Sequence, residues 1–335
     1  MNTFLFALNS VMPVITVILL GYYLGRCRFL SNDFLKNANK LVFRVTLPIY
    51  LYYNIYSLDD LTSVNKRLVI YTMLFIFIVF ALAFLCVCLY TKDNKKRGAL
   101  LQCAFRSNFA IIGVTLAEAM GGAQAVACAA VISAFSIPVF NILAVVCLTI
   151  FDGNDNKRIN FKKILKGIAT NPLIIGVMLG ILTLLARKFI PIKNGEHIFT
   201  IQKQIPFLYK AVKSIGGVAS PLALMVLGGQ FKFSAVKELA KDIIFGTIWR
   251  LILTPLIAIG GLILFSRAGI LSVSHAEMPA VIALYCSPVA VSSAIMAEEM
   301  NSHGELARQL VVWTSLLSIL TMFITVALFK SLGML

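Results

Sequence analysis

The sequence predicts an all-α polytopic membrane protein, with about ten transmembrane helices arranged as two inverted five-helix repeats. Three observations predict it. Apolar runs of about 18 to 25 residues recur along the whole chain, the length a helix needs to cross about 30 Å of hydrocarbon. The 335 residues are 59% hydrophobic and only 13% charged, against about 25% charged in a soluble domain. The two halves of the chain also resemble each other. In lipid every backbone N–H and C=O must be satisfied internally, and the runs lack the alternating polarity of barrel strands, so helices remain.

The runs place spans at about 4–24, 38–57, 67–90, 98–120, 122–150, 172–190, 207–230, 242–266, 277–300 and 305–331. The first, MNTFLFALNSVMPVITVILL, has no basic n-region or small-residue cleavage site and reads as a retained span. Charged or Asn/Asp/Gly-containing segments such as TKDNKKRG (91–98) and DGNDNKRINFKK (152–163) connect the spans. In the second of these connections, Phe161, Ile164, Leu165 and Ile168 form an apolar stripe among Lys162, Lys163 and Lys166, as in a short interfacial helix. The expected division is therefore 1–151, a cytoplasmic linker 152–171, and 172–335.

The formal charge of +16 sits in the connections, as topology signals and lipid-head contacts do, which argues against nucleic acid as a partner. Counted on alternate sides, Lys and Arg fall 17 against 10. The richer side is expected to be cytoplasmic, with both termini outside. Six of the seven cysteines lie inside apolar runs, which is no disulfide or metal framework. The three histidines are scattered over connections, and neither a metal nor a cofactor is expected.

The internal repeat is the most informative feature. RSNFAIIGVTLAEAMG (106–121) aligns with CSPVAVSSAIMAEEMN (286–301) at an offset of 180, pairing Ser107 with Ser287, Glu118 with Glu298 and Met120 with Met300. Pro13 and Gly21 align with Pro172 and Gly180, Pro48 with Pro221, and Ser133 and Ser136 with Ser315 and Ser318, in the same order. Five spans per half is an odd number, so the second half enters the membrane from the opposite side. This is the architecture of many secondary carriers, whose sites lie near the midplane where paired helices are broken. Pro288 lacks an N–H in mid-span, and at the matching place Asn108 beside Ser107 competes for backbone hydrogen bonds. Breaks there leave half-helix N-termini, with free donors and partial positive charge, suited to a carboxylate.

At these residues the chain resembles the auxin efflux carrier family, which includes bacterial malate-permease-like proteins and the plant PIN auxin exporters. The motifs are FRSNFAIIGVTLAEAMGG (105–122), ATNPLIIGVMLGIL (169–182), SPLALMVLGGQF (220–231), WRLILTPLI (249–257) and SPVAVSSAIMAEEM (287–300). The resemblance implies a bile-acid symporter or sodium–proton antiporter-like fold with crossing helices 4 and 9. Helices 1, 2, 6 and 7 would form a scaffold, and 3–5 and 8–10 a transport domain moving in an elevator-like or rocking step. It implies an organic anion as substrate, a dicarboxylate such as malate or an auxin-like carboxylate, and a homodimer as in the PIN branch. Asn108 matches the Asn of the family's first crossover and Pro288 the Pro of the second. The long hydrophilic central loop of many plant members is absent, which favours the shorter bacterial type in a cytoplasmic membrane.

Several residues admit two readings. Arg106 either attracts the anion or snorkels or pairs with an acid. Arg250, near the expected surface, reads as an interfacial anchor. Glu118, Glu298 and Glu299 either carry protons, with protons or sodium as the coupling ion, or are solvated end charges. Ser292 and Ser293 either contact substrate or pack helices closely. Gln230 and Asn54 are candidates to line the cavity from the scaffold. A membrane-embedded enzyme or an anion channel is the alternative class. The sequence has no HExxH, no Gly-rich phosphate loop and no clear intramembrane carboxylate pair, and neither rival explains the matched helix breaks.

Overall fold

The computed structural model describes residues 3–57, 65–152, 165–166, 169–187, 189–193, 196–197 and 199–331. The stripe Phe161, Ile164 and Ile168 of the linker lies outside them. The described chain is helical apart from a two-residue hairpin, β1 (Ile192–Lys193) with β2 (Glu196–His197). Among the described residues, five stretches are long and apolar enough to cross a membrane: Lys66–Tyr90, Gln124–Ile150, Pro206–Gly229, Ser234–Arg267 and Gly304–Ser331. Ile15–Arg26 and Pro172–Arg187 are shorter apolar helices.

Local signals account for where the helices begin and bend. Helix α1 (Thr3–Arg26) is followed by α2 (Asn32–Leu41), whose N-cap Ser31 accepts from Phe34 N–H at 3.1 Å. A π turn, Val42–Thr46, leads into α3 (Leu47–Tyr56). Asn65 caps α4 (Lys66–Tyr90), and Asp93 caps α5 (Asn94–Phe105) by accepting from Lys95 and Lys96 N–H. After an extended break comes a second π turn, Phe109–Gly113, then α6 (Val114–Ile150). Within α6, Gly122 at φ +60° interrupts the helix at the boundary the hydropathy places between 120 and 122.

The second half holds α7 (Pro172–Arg187), the short α8 (Ile201–Gln204), α9 (Pro206–Gly229) and α10 (Ser234–Ile248). A third π turn, Trp249–Leu253, joins α10 to α11 (Thr254–Arg267). Then come α12 (Met278–Cys286), an extended break, α13 (Val291–Glu299) and α14 (Gly304–Ser331). The first and third π turns are each followed at the second residue by a proline, Pro48 and Pro255. A proline ring displaces the carbonyl four residues back and offers no N–H, which opens the preceding turn.

Packing follows the small residues. Helix α1 lies on α9 and α3 lies on α7. A Cβ on Gly21 would collide with the Met225 backbone, and one on Gly228 with the Ile18 backbone. A Cβ on Gly176 would meet the Pro48 backbone and one on Gly180 the Ile55 side chain. Gly21 and Gly180, matched in the sequence repeat, thus serve the same close helix approach in their two pairs. Large apolar side chains such as Leu19, Leu89, Phe207, Leu256 and Leu264 face outward, as lipid contact requires.

The connections gather at two ends. At one end, Lys96 pairs with Asp242 at 2.8 Å, Ser302 Oγ donates to the Lys95 carbonyl, and Gln309 Nε2 donates to the Lys232 carbonyl. At the other, Asn65 Nδ2 donates to the Ser272 carbonyl and Ile201 N–H to Tyr56 Oη. The segments brought together at each end are those the alternating count of Lys and Arg assigns to one side.

Gly228→Ala is expected to lower stability by about 1–3 kcal/mol through overpacking against α1. Gly217→Ala and Gly260→Ala, where no atom lies within 4 Å of the added methyl, are expected to be neutral or slightly stabilising. Thermal unfolding of the three purified variants in detergent checks the contrast.

Candidate functional site: the helix crossover

Two broken helices cross at the centre of the fold. The break after α5 runs through Arg106, Ser107 and Asn108, and the break after α12 through Ser287, Pro288, Val289 and Ala290. The two extended segments pair as a minimal antiparallel ribbon. Ser107 bridges Val289, Asn108 N–H donates to the Pro288 carbonyl at 2.8 Å, and Ala290 N–H donates to the Arg106 carbonyl at 3.3 Å. Val289 N–H is taken by Thr314 Oγ1 at 3.1 Å. Each break thus supplies the backbone partner the other has lost, as burial demands. Pro288 has no N–H, so it ends the helix yet still offers its carbonyl.

Behind the crossing stands Arg250, on the third π turn and fully buried. The interfacial-anchor reading of Arg250 is therefore corrected. Its Nε donates to the Ser287 carbonyl at 2.8 Å and its Nη1 to the Phe105 carbonyl at 3.2 Å. Nη2 donates to the carbonyls of Leu284 (3.2 Å) and Tyr285 (3.1 Å). Thr254 Oγ1 adds a bond to the Ala104 carbonyl at 3.0 Å. These acceptors are the exposed carbonyl ends of α5 and α12. Each helix C-terminus carries roughly half a negative charge, so the two together offset one guanidinium.

The opposite face of the crossing opens on a cavity of about 70 Å³. A water needs about 10–15 Å³ on this measure, so the space admits several waters or a small organic ion. One wall is the crossing itself: Arg106, Ser107 and Asn108, with Ala290, Val291 and Ser292 at the head of α13. Ile137, Phe140 and Asn141 of α6 continue it, and Leu47, Tyr50, Leu51, Leu173, Ser220 and Ala223 of α3, α7 and α9 form the other side.

This wall is rich in donors. Asn108 is 4% exposed and its Nδ2 has no partner; the Ser107 hydroxyl is likewise unpartnered. The Val291 and Ser292 N–H groups at the head of α13 have no intrahelical acceptor, while Ser293 N–H donates to the Ala290 carbonyl at 2.9 Å. Arg106, also 4% exposed, donates from Nη2 to Asn141 Oδ1 at 2.7 Å. With the Gln102 amide oxygen turned towards it, Arg106 Nη1 donates there at 2.9 Å. Nη1 also approaches the Met296 sulfur, so the Arg106 side chain meets two neutral amides and a thioether and pairs with no carboxylate among the described residues. The negative helix ends face Arg250, and the positive ends share the cavity with a second cation.

The expected site residues divide accordingly. Asn108, Ser107, Arg106 and Ser292 line the cavity, and Pro288 pairs with Asn108 just behind it. Ser287 turns away: its hydroxyl donates to the Ala283 carbonyl at 2.6 Å, while its own carbonyl serves Arg250. Ser293 is fully buried in α13 with an unpartnered hydroxyl and is not on the cavity wall. Asn54 lies one helical turn from the cavity-lining Tyr50 and is not itself on the cavity wall. Gln230 is remote, accepting from Arg308 at the end of the fold where Arg308 also pairs with Glu298 at 2.7 Å and Glu305 at 2.9 Å. Glu299 accepts from Asn39 Nδ2 at 3.0 Å at that same end, and Glu118 is exposed. Sequence reasoning missed Asn141 and Gln102. A polar amide in the middle of an apolar run was the available signal for Asn141.

A central crossing of two broken helices, in a bundle with at least five membrane-length helices, defines a polytopic membrane protein, and its family match makes it a transport protein. The model of the family described as membrane transport protein matches residues 6–326, and the chain belongs to it, the auxin efflux carrier family. The chain is similar to the uncharacterized transporter YfdV of Escherichia coli (strain K12), 25% identical over 302 residues that cover 88% of this chain and 89% of that protein. Proteins of the same name from Escherichia coli O157:H7 and Shigella flexneri match to the same extent.

Arg250→Leu leaves four buried carbonyls without a donor, each costing about 1–3 kcal/mol. Its unfolding temperature is expected to fall well below wild type, with Arg250→Lys in between, because one ammonium cannot span acceptors that a planar fork reaches in three directions. Thermal unfolding in detergent gives the order.

Proposed function

We propose that the chain is a secondary transporter of a small organic anion, working by alternating access. The observation that carries this reading is Arg106: a buried cation on the wall of a cavity, held by Asn141 and Gln102 and paired with no carboxylate among the described residues. A substrate carboxylate would supply the missing charge. It would accept from Asn108 Nδ2 and the Ser107 hydroxyl, which have no partner among the described residues, and from the Val291 and Ser292 N–H groups at the head of α13. The small volume and apolar far wall suit a carboxylate with a short carbon body, whether a dicarboxylate such as malate or an auxin-like acid.

The inverted repeat supports the mechanism. In our reading ten spans form two five-helix halves, with α1–α3, α7 and α9 as scaffold and α4–α6 and α10–α14 as transport domain. The cavity lies where these sets meet: α3, α7 and α9 on one side, the crossing and α6 on the other. The crossing can move as one body because Arg250 ties both breaks to α10 and α11. An elevator-like step would then carry the anion past the scaffold. The end bearing Lys96, Lys232 and Arg308 would face the cytoplasm of a bacterium, and the protein could pair as a homodimer. Glu298, ion-paired with Arg308 at that end, and the exposed Glu118 are candidates for proton coupling.

Uptake and counterflow in proteoliposomes test the reading with malate, other dicarboxylates and indole-3-acetate. Saturable transport is expected in wild type, with substrate-for-substrate exchange separating a carrier from a channel. Asn108→Ala and Arg106→Gln are expected to cut transport at least tenfold while the proteins remain folded, the loss of a buried charge-assisted bond being worth about 1.5–3 kcal/mol. Wild-type rates in Arg106→Gln would remove the charge argument, and no exchange with any anion would remove the substrate class.

A further inference from the structure

Along the outside of the fold, a groove lies between α14 and the face of α10 and its π turn. Its volume is about 450 Å³, and it is lined by Ile244, Ile248, Ile252, Trp313, Leu317 and Leu320 among others. The α10 side runs from Val236 to Ile252, about 24 Å at 1.5 Å per residue. That exceeds the roughly 15 Å of hydrocarbon in one leaflet. A long groove with a mostly apolar lining suits an extended acyl chain.

The mouth of the groove is charged. Lys237 and Lys241 fall on the same helical stripe as the lining residues Ile244 and Ile248, spaced four, three and four residues apart, so both lysines flank the groove at its Val236 end. Both are exposed, and no carboxylate pairs with either among the described residues. Asp242 turns inward to Lys96, and Glu238 sits exposed on the adjoining stripe. At the same end Trp313 holds its indole N–H on Gln309 Oε1 at 3.2 Å, with the ring against the groove, the placement of an aromatic at a membrane interface.

We propose that this groove is a binding site for an anionic phospholipid, with one acyl chain along α10 and α14 and the phosphate held between Lys237 and Lys241. The apolar floor takes the chain and the two lysines take the headgroup charge, so the site discriminates by headgroup and not by chain alone. Leu251 and Ile252 line the groove from the π turn that presents Arg250 to the crossover. A seated lipid therefore braces the segment on which the crossing depends. The inference needs the chain to lie in a membrane but does not need the anion reading of the cavity.

The chain has two tryptophans, Trp249 and Trp313, so Trp249→Phe leaves the groove residue as sole reporter. The full chain carrying that change is reconstituted in vesicles containing brominated-acyl phosphatidylglycerol or brominated-acyl phosphatidylcholine, and quenching of Trp313 is followed against mole fraction. Half-quenching is expected at a lower mole fraction of the anionic lipid, by about fivefold per lysine. Lys237→Ala with Lys241→Ala is expected to bring the two curves together, and Ile248→Phe to reduce quenching by both lipids. Superimposed curves before the lysines are changed would overturn the proposal, leaving an unselective lipid boundary. Anionic preference that survives the double change would place the headgroup elsewhere. Absence of quenching by either lipid would mean that protein covers the groove.

Discussion

Arg250 and the carbonyls it gathers are the constraint on which the centre of this protein rests. Breaking two helices inside a bilayer exposes carbonyls that have no water to turn to. One guanidinium with donors in three directions meets the ends of both helices at once, taking Phe105 from one and Leu284, Tyr285 and Ser287 from the other. The arrangement also removes an electrostatic problem, because a buried cation without an acid is costly and two converging helix C-termini offset about one charge. The π turn that aims Arg250 inward, with Pro255 just beyond it, belongs to the same device.

With the negative ends engaged on one side, the polarity of the other side follows from geometry. The head of α13 and the Asn108 turn face the cavity, and Arg106 adds a full charge there. Neutral amides, Asn141 and Gln102, fix the direction of Arg106 without cancelling it. A carboxylate in their place would have made an internal ion pair and weakened the pull on an anion. The crossing is rigid within itself, stitched by Asn108 to Pro288 and Ala290 to Arg106, and α13 extends from it to the Arg308 cluster about 12 Å away along the helix.

Around this centre, close packing is arranged by backbone contact. The pairs α1 with α9 and α3 with α7 approach until a methyl group at Gly21, Gly228 or Gly176 would strike main chain. Such contacts suit helices that stay fixed against one another, since apolar side chains gain little by leaving lipid for a protein interface. The cavity wall opposite the crossing is built from three of these four helices.

The sequence alone determined the class and the place of the crossing, while helix starts moved, as where the span expected from 242 begins at Ser234. Spans of membrane length are a composition property, and Pro288, with no N–H in mid-run, marks a break wherever it lies. The self-alignment put Asn108 opposite Pro288, and the structure has the two joined by a hydrogen bond. Only the tertiary structure decided which neighbours serve the breaks. Arg250 stands 37 residues before Ser287 and 145 after Phe105, in a stretch whose pattern reads as membrane surface. Whether Arg106 was balanced, whether Ser287 faced the cavity, and that Gln230 and Glu298 belong to a distant polar cluster were equally out of reach. Periodicity tells which residues leave water; it does not tell which long-range partners meet them, because those contacts arise only when helices far apart in the chain are packed together.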